Sequence, residues 1–555
     1  MWDADSKASK VRISRGAELF PTTEGSMWVI DTRDDHAPPG SQVASRMKGH
    51  LRKPGGPTGS VQQAGMGATC EGQPEHGAEL RSGVGPVHST DEALEGNEGV
   101  EGRGWPGGSL RKTVKVRTQG WRTLPLNLLR VYEAAKRNKQ ARFTALLHHV
   151  DVVALERAFR RLKRKASAGV DGETVTSYEE NLQTKLKNLC ERVHTGRYQP
   201  RAVRRVYIPK SDGGQRALGV PALEDKIVQG TVAEVLNAIY EVDFLGFSYG
   251  FRPGRNPHQA LQSLHTALMM TQCVNWVLDA DIRKFFDSVD HEWLLRMLEH
   301  RIADPRVLRL IRQWLTAGVL ESGEWHEVVE GTPQGAGISP LLANIFLHYV
   351  FDLWVHQWRR RKARGRIILV RYADDFVMGL QFADDAMRML EDLKERLAKF
   401  KLTLHADKTR LIEFGRMPTL ARARRGQQRP ETFAFLGFTH YCGRTRDGRF
   451  VVKRKTHSKR LTSKLNALRQ EAKRRMHTPV SDQHRWLCQV LRGHYAYYGL
   501  PSNFRCLMGF LHQTRRVWFN ALRRRSQRRL NWETFGVLLA HFPLPLPRIT
   551  HPCTA

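Results

Sequence analysis

Two adjacent carboxylates, Asp374 and Asp375, interrupt an apolar stretch and offer the most specific chemistry in this 555-residue chain. The run from Ile367 to Phe376 is β-prone up to the acidic pair, and apolar residues resume directly after it. This order over so short a span predicts a β-hairpin with its acidic tip in a cleft. Neighbouring carboxylates repel each other, and a multivalent cation that prefers hard oxygen ligands, such as Mg²⁺, offsets the repulsion. The alternative for a bare Asp-Asp pair is a solvated turn.

A second acidic pair lies upstream. Between Trp276 and Ile282 apolar and acidic residues alternate, which predicts a strand with Asp279 and Asp281 on one face. Carboxylate sites on two neighbouring strands could hold a pair of Mg²⁺ ions about 3.5–4 Å apart, the spacing that clamps the entering and leaving oxygens in phosphoryl transfer.

Two cations further upstream suit a triphosphate. Tyr207 to Lys210 and Ala217 to Val220 are predicted to form two strands joined by a Gly-Gly turn. Lys210 and Arg216 then stand on its two arms, one as a point charge and the other as a bidentate fork. The alternative is a pair of ordinary surface cations in a very basic protein.

Three blocks of the chain, in this order, resemble the palm of reverse transcriptases. They are Asp281 with the aromatic Phe286 five positions later, the segment Gly331–Asn344, and Tyr372–Asp375. The middle block is similar to the family's Pro-Gln-Gly loop and the helix behind it. Its Gly-rich backbone permits close approach to a ligand, and Ser339-Pro340 favours the start of a helix.

The resemblance implies roles for the matched residues. Asp281, Asp374 and Asp375 would be the catalytic residues and would bind two Mg²⁺ ions. The residues implied to contact the incoming nucleotide are Lys210, Arg216, Phe286, Gln334 and Lys408.

Three of the matched segments have two interpretations each. Phe286 would lie under the sugar and exclude a 2′-hydroxyl, or it would be a core phenylalanine beside Phe285. Lys408, in a segment (402–409) similar to the next palm motif, would protonate the leaving pyrophosphate or form a structural salt bridge. Phe433–Phe438 resembles the hairpin that grips the primer end, or its aromatics belong to the core.

The charge of the chain indicates a polyanionic partner. Lys and Arg number 89 against 55 Asp and Glu, a formal net charge of +34, and such an excess attracts nucleic acid and releases its counterions. From Val451 to Leu530 there are 20 basic residues and only two acidic ones, Glu471 and Asp482.

This basic region is predicted to be helical and to bind RNA, with Tyr495, Tyr497 and Tyr498 mainly structural. One amphipathic helix is predicted over Ser458 to Met476. The apolar residues at helical spacing are Leu461, Leu465, Leu468 and Ala472 in this helix, and Phe510, Leu511, Val517, Trp518 and Leu522 in a later one. The candidate RNA contacts that follow are Arg523, Arg524, Arg525, Arg528 and Arg529. The region resembles the thumb and maturase (X) domain of group II intron-encoded proteins.

The resemblance covers Thr123 to Ile549 and implies an α+β right-hand polymerase with fingers, an antiparallel-sheet palm and an all-α basic thumb. A leader at 1–110 is predicted to be disordered because its Gly-, Pro- and charge-rich sequence shows no persistent period. The further predicted divisions are an N-terminal fingers extension at 111–200, fingers and palm at 201–445, and the thumb and maturase domain at 446–555.

Features not found in the sequence also constrain the function. There is no signal peptide and no apolar run of about 18 residues, which predicts a cytoplasmic protein without a membrane span. The seven cysteines are scattered and never spaced C-x₂-C, which fits a reducing compartment and argues against zinc. Nothing resembles the endonuclease segment of many relatives. The resemblance is therefore to the bacterial type that lacks this segment, and second-strand target cleavage by this chain is not expected.

Taken together, these features predict an RNA-directed DNA polymerase that also binds its host group II intron RNA. It would assist splicing and retromobility by target-primed reverse transcription, with an RNA template, a DNA primer, dNTPs and target DNA as partners. Two alternatives stay open: an RNA-binding splicing factor with an inactive polymerase site, and a reverse transcriptase of the retron or diversity-generating type. The oligomeric state is not predicted.

Overall fold

The computed structural model describes residues 124–209, 214–270, 273–321, 323–328, 330–332, 335–525 and 530–552, together with the backbone of three short strands before them. The chain forms two compact units, Met1–Arg103 and Gly104–Ala555. In the first unit, strands β1 (Leu19–Pro21) and β2 (Met27–Val29) pair antiparallel. This hairpin was not predicted, and the prediction of disorder for residues 1–110 otherwise falls outside the described part of the chain.

The second unit has the mixed α and β architecture that the sequence predicts. Its helices are α1 (Leu126–Arg137), α2 (Val152–Arg160), α3 (Val175–Glu179), α4 (Leu182–His194), α5 (Leu223–Asp243), α6 (Pro257–Met270), α7 (His291–Glu299), α8 (Pro305–Leu315), α9 (Ser339–Leu347), α10 (Leu353–Arg361), α11 (Ala383–Ala398), α12 (Arg416–Arg424), α13 (Ser458–Arg474), α14 (Val480–Tyr498), α15 (Phe504–Arg523) and α16 (Trp532–His541). Its strands are β3 (Thr113–Val114), β4 (Leu124–Pro125), β5 (Val203–Pro209), β6 (Gln215–Val220), β7 (Trp276–Asp281), β8 (Val319–Glu321), β9 (Glu324–His326), β10 (Ile367–Tyr372), β11 (Asp375–Leu380), β12 (Arg410–Glu413), β13 (Phe433–Phe435), β14 (Phe438–Arg444) and β15 (Phe450–Thr456).

A four-stranded antiparallel sheet in the order β10-β11-β7-β12 carries both predicted acidic pairs. Its strands are buried on both faces. Leu278, Phe376 and Met378 join the core that includes α9 and α11, whereas Val277 and Val377 join the core that includes α6. Because side chains alternate along a strand, Asp279 and Asp281 share the face of Val277, as predicted.

Two further sheets of three or more strands belong to this unit. One has the order β6-β5-β8-β9 and contains the predicted hairpin of β5 and β6. Its strand β5 also pairs parallel to β8. The third sheet has the order β13-β14-β15. The prediction of an all-α region from residue 446 is therefore wrong at its start, where β15 lies. Arg454 is buried there between Val452 and Thr456, so the strand's inward positions do not form an apolar pattern.

The C-terminal helices pack around their own core, as the helical spacing predicts. Leu468 and Ala472 of α13 meet Leu487 and Leu491 of α14, and α15 contributes Trp518 among others. The predicted helices correspond to α13 and α15, and all five apolar residues predicted for the later helix are buried. Among the helices that the structure describes, none has both the length and the apolarity that crossing a membrane requires.

A buried carboxylate at the start of α5 ties three segments together behind the segment 335–339. Asp225 accepts hydrogen bonds from Tyr198 Oη at 2.5 Å and from the Arg201 backbone N–H at 3.1 Å. Trp314 Nε1 of α8 donates to the same tyrosine oxygen at 3.1 Å. One turn along α5, Gln229 Oε1 accepts from the Gly337 N–H at 3.1 Å. The helix therefore connects the fold's interior to a loop that carries the matched motif.

Burial raises the pKa of Asp225 to about 6, whereas an aspartate in the unfolded chain titrates near pH 4. Between these two values the folded chain keeps a proton that the unfolded chain has released. The free energy of unfolding should therefore decrease as the pH rises through this window. We expect Asp225→Asn to remove this contribution, so that denaturant titrations from about pH 4 to about pH 7 show a flatter slope than the wild type. Glu391→Gln, at an exposed position, is the matched control, and equal slopes for Asp225→Asn and wild type would contradict the prediction.

Candidate active site

The predicted acidic hairpin is present, and its tip faces the second carboxylate strand. Tyr372 pairs with Asp375, so β10 and β11 are joined by a two-residue turn of Ala373 and Asp374. On the other side of β11, Asp375 lies directly opposite Asp281 of β7. Three carboxylate residues from two segments therefore lie at the same end of the sheet.

The turn needs support because Ala373 has φ 59°, in the left-handed region that side chains other than glycine rarely adopt. The support is the guanidinium of Arg371, which is fully buried. Its Nη1 donates to the Ala373 carbonyl at 2.9 Å and to Asn344 Oδ1 at 3.0 Å. Its Nε and Nη2 donate to the two carboxylate oxygens of Asp352 at 2.7 and 2.5 Å. Asn344 of α9 and Asp352, which follows that helix, therefore hold the acidic hairpin through Arg371.

The segment before α6 also supports the acidic hairpin, through contacts with Arg371 and Asn344. The backbone of Arg371 exchanges hydrogen bonds with Phe247 and Tyr249, each at 2.9 Å, and Asn344 Nδ2 donates to the Gly250 carbonyl at 2.7 Å. A Cβ on Gly250 would overlap the backbone nitrogen of Ala373, so only glycine lets the two chains approach this closely.

Burial and the neighbouring negative charges raise the pKa values of these carboxyl groups. Burial raises the pKa of Asp375 to about 8, and the charges of the three neighbouring aspartates, Asp279, Asp374 and Asp281, add to the shift. The pKa of Asp374 is also raised, first by burial and then by Asp281. Burial raises the pKa of Asp279 to about 6. Charged carboxylates at this sheet end are therefore costly unless a cation joins them.

A divalent cation fits this donor set. Within the described residues, no three His, Cys, Asp or Glu side chains are gathered closely enough to hold a metal ion by themselves. Hard oxygen ligands that repel each other nevertheless match the preference of such an ion, which commonly takes further oxygens from substrate phosphates and water.

Two basic residues pair with the carboxylates of β7. Lys408 Nζ donates to Asp281 Oδ2 at 2.5 Å, and Arg410 Nη2 donates to Asp279 Oδ2 at 3.3 Å. The first contact places Lys408 within reach of the proposed chemistry, and it is also the salt bridge that the sequence left as the alternative. The pairing of Asp279 with Arg410 was not predicted. The only sign of it in the sequence is that Arg410, a basic residue, begins a strand.

Phe286 and the loop with the matched motif lie together. The Thr332 N–H donates to the Phe286 carbonyl at 2.7 Å, and the Gly331 N–H donates to the Val289 carbonyl at 2.8 Å. The Phe286 ring is half-buried and meets Phe285 edge-on at 5.4 Å. Gln334 lies outside the described residues.

Only some of the other residues predicted to contact the nucleotide or RNA lie in the described part of the chain. Arg216 is exposed on β6, and its positive charge offsets a small part of the rise in the pKa of Asp374, whereas Lys210 is not described. Arg523, Arg524 and Arg525 are exposed at the end of α15, and Arg528 and Arg529 are not described. No contact among the described residues joins these C-terminal arginines to the carboxylates.

Comparison with known proteins gives a consistent result. Residues 208–440 match the family described as "Reverse transcriptase (RNA-dependent DNA polymerase)". The chain is 37% identical over 277 residues to "Protein YkfC" of Escherichia coli (strain K12), which covers 44% of this chain and 71% of that protein. It is 37% identical over 187 residues to "Group II intron-encoded protein LtrA" of Lactococcus lactis subsp. cremoris, covering 34% of this chain and 30% of that protein. It is 27% identical over 320 residues to "Putative COX1/OXI3 intron 1 protein" of Saccharomyces cerevisiae, covering 49% and 38%. The match therefore spans well under half of the last two proteins.

The buried pair of Arg371 and Asp352 should be sensitive to loss of one charge. Asp352→Asn leaves a fully buried guanidinium without its counter-charge, so we expect a loss of about 3–5 kcal/mol in the free energy of unfolding. Urea denaturation of the full chain measures it.

The matched control is again Glu391→Gln, because Glu391 pairs with Lys394 at the surface, where one lost ion pair changes stability by no more than about 1 kcal/mol. Equal, small losses for both variants would show that the buried pair does not hold the hairpin.

Proposed function

The chain belongs to the family of group II intron-encoded reverse transcriptases and maturases, and on this premise we propose that it copies RNA into DNA at the site of Asp281, Asp374 and Asp375. Its class is therefore that of an RNA-directed DNA polymerase with a role in intron splicing. The observation that carries the proposed site is the register that sets Asp375 opposite Asp281, with Asp374 in the adjoining turn.

The family works with divalent metal ions, and we propose two Mg²⁺ ions held by Asp281, Asp374 and Asp375. When bound, such ions activate the primer 3′-hydroxyl and neutralise the triphosphate and leaving group. The chain's own part is to keep the carboxylates in place through the Arg371 network. The mutual repulsion of these carboxylates supports the assignment, since a polymerase gains from their closeness only if cations share the site.

The nucleotide would lie between β6 and the loop that begins at Gly331. Arg216, with Lys210 on the opposite arm of the hairpin, would bind the triphosphate, and Gln334 would contact the incoming nucleotide. Phe286 would pack under the sugar and exclude a 2′-hydroxyl. Lys408, which pairs with Asp281, would donate a proton to the leaving pyrophosphate. The hydrogen bond from Thr332 to Phe286 supports this grouping.

The right-hand division extends this proposal to the domains. The sheet β6-β5-β8-β9 would belong to the fingers, with an extension over residues 111–200, and the sheet β10-β11-β7-β12 to the palm. Helices α13 to α16 would form the thumb and maturase domain, whose arginines would contact phosphates of the host intron RNA: Arg523, Arg524, Arg525, Arg528 and Arg529. Binding that RNA would favour its splicing-competent form, and a target DNA strand would serve as primer during retromobility.

Primer extension tests the catalytic assignment. On poly(rA) with an oligo(dT) primer, dTTP and Mg²⁺, we expect the wild type to synthesise DNA. The Asp374→Ala/Asp375→Ala variant should lose at least about a thousandfold in rate because its metal ligands are gone. Asp407→Ala, at an exposed carboxylate near Lys408, is the matched control and should retain activity. If the wild type binds intron RNA tightly but makes no DNA, the protein is a splicing factor and not a polymerase.

Phe286 can be tested through the choice of sugar. Phe286→Val opens space beside the 2′-position, so the ratio of ribonucleotide to deoxynucleotide incorporation should rise by roughly tenfold or more, measured as kcat/KM for each nucleotide. A fall in both values with an unchanged ratio would mean that Phe286 is a core residue packed on Phe285. Thermal melting of each variant separates this outcome from unfolding.

A further inference from the structure

The hairpin of β13 and β14 ends in a turn that its own sequence does not stabilise. Phe435 pairs with Phe438, which leaves Leu436 and Gly437 as a two-residue turn. Both have positive φ, 46° and 82°, as a type I′ turn requires. Glycine adopts this conformation freely, but leucine does so at a cost of about 1–3 kcal/mol, and such a residue persists only when its surroundings hold it.

Residues of the C-terminal helices hold this turn. Tyr497 Oη of α14 donates to the Leu436 carbonyl at 2.9 Å. From the start of α13, the His457 N–H donates to the Gly437 carbonyl at 3.0 Å. The Tyr498 ring lies 5.1 Å from that of Phe438. Both carbonyls of the turn are thus fixed by groups that lie after the hairpin in sequence.

The strand that leads into this turn also lies beside Asp279, on the face of the sheet that carries the proposed catalytic carboxylates. The Arg410 side chain that pairs with Asp279 also donates to the Thr432 carbonyl at 3.3 Å, directly before β13. Phe433 joins the core that includes Val277 and Val377, on the carboxylate face of the sheet. The strand that leads to the turn is therefore packed on the sheet that carries the carboxylates.

Tyr497 itself is held in a junction of several segments. Its ring lies 6.0 Å from Phe438, nearly parallel to it, and 5.1 Å from His258 of α6. His258 stacks on His551 at 3.5 Å, and His551 Nε2 lies 2.8 Å from the Ala496 carbonyl of α14. The phenol is therefore presented to the turn with little rotational freedom.

We propose that Tyr497 is a positioning residue for DNA synthesis: its phenol fixes the Leu436–Gly437 turn, and that turn sets the primer 3′-end against the carboxylates. This inference rests on the proposed function, because the turn matters in this way only if a primer is extended at the site. It assigns to Tyr497 a role beyond packing. The hydroxyl acts through the turn and touches neither nucleotide nor metal.

Two variants of one helix provide the test. Tyr497→Phe and Tyr495→Phe each remove one hydroxyl that donates to a backbone carbonyl, and both keep the ring. The Tyr495 hydroxyl donates to the Pro545 carbonyl at 3.2 Å, away from the turn. In single-turnover primer extension by the full chain, Tyr497→Phe should lower the rate of nucleotide addition by about five- to tenfold, the effect of one lost hydrogen bond. The dNTP concentration for half-maximal rate should stay the same. Tyr495→Phe should keep the wild-type rate.

A rescue distinguishes action through the turn from a general weakening of the fold. Asn-Gly favours a type I′ turn without outside help, so Leu436→Asn should restore most of the rate in the Tyr497→Phe background. Equal rates for Tyr497→Phe and wild type, or a fall that Leu436→Asn leaves unchanged, would overturn the inference. Both results require an active wild type, so a failure of the proposed function itself would be seen first, as absence of synthesis by the wild type.

Discussion

The site depends on one buried interaction, the double hydrogen bond between Arg371 and Asp352, both fully buried. A buried ion pair is weak evidence for stability, because desolvating two charges offsets much of their attraction. Its value here is geometric. The same guanidinium also donates a hydrogen bond to the carbonyl of Ala373. The left-handed backbone of Ala373 reverses the chain between β10 and β11. A hydrophobic pair of equal volume would pack as well but would leave this turn without its donor.

This constraint explains why so many neighbouring groups are polar yet buried. Asn344 accepts from Arg371 and donates to Gly250, so one amide links the hairpin to the segment before α6. The donor atoms of Arg371 and Asn344 each have an acceptor, which is the condition for burying polar groups at low cost. The apolar faces of β7 and β11 supply the stability that the acidic end lacks. The four carboxylates, whose charges oppose one another, can therefore be kept in place before any cation is bound.

Local sequence patterns predicted the elements but not the contacts between them. Alternation around Asp279 and the apolar–acidic–apolar run around Asp374 predicted a strand and a hairpin, and helical spacing predicted α13 and α15, because these signals lie within a few residues. The partner of Arg371 lies on a different element, and no period in the sequence points from one to the other. The strand β15 was missed for a related reason, since its inward position is Arg454, buried against α6, where its Nη1 donates to the Leu261 carbonyl at 3.2 Å.

The two turns beside the carboxylates share one design. Ala373 and Leu436 are both non-glycine residues with positive φ. The Ala373 carbonyl is held by Arg371, two residues earlier in the same hairpin, and the Leu436 carbonyl is held by Tyr497 of α14. The first support comes from the core of the sheet, but the second comes from α14. That helix packs with α15, which ends at the exposed arginines proposed to bind RNA. The proposed polymerase site and the proposed RNA-binding region are thus parts of one packed structure. Any shift of α14 when RNA binds would reach the Leu436 turn through the Tyr497 hydrogen bond and through the ring contacts of Tyr497 and Tyr498 with Phe438.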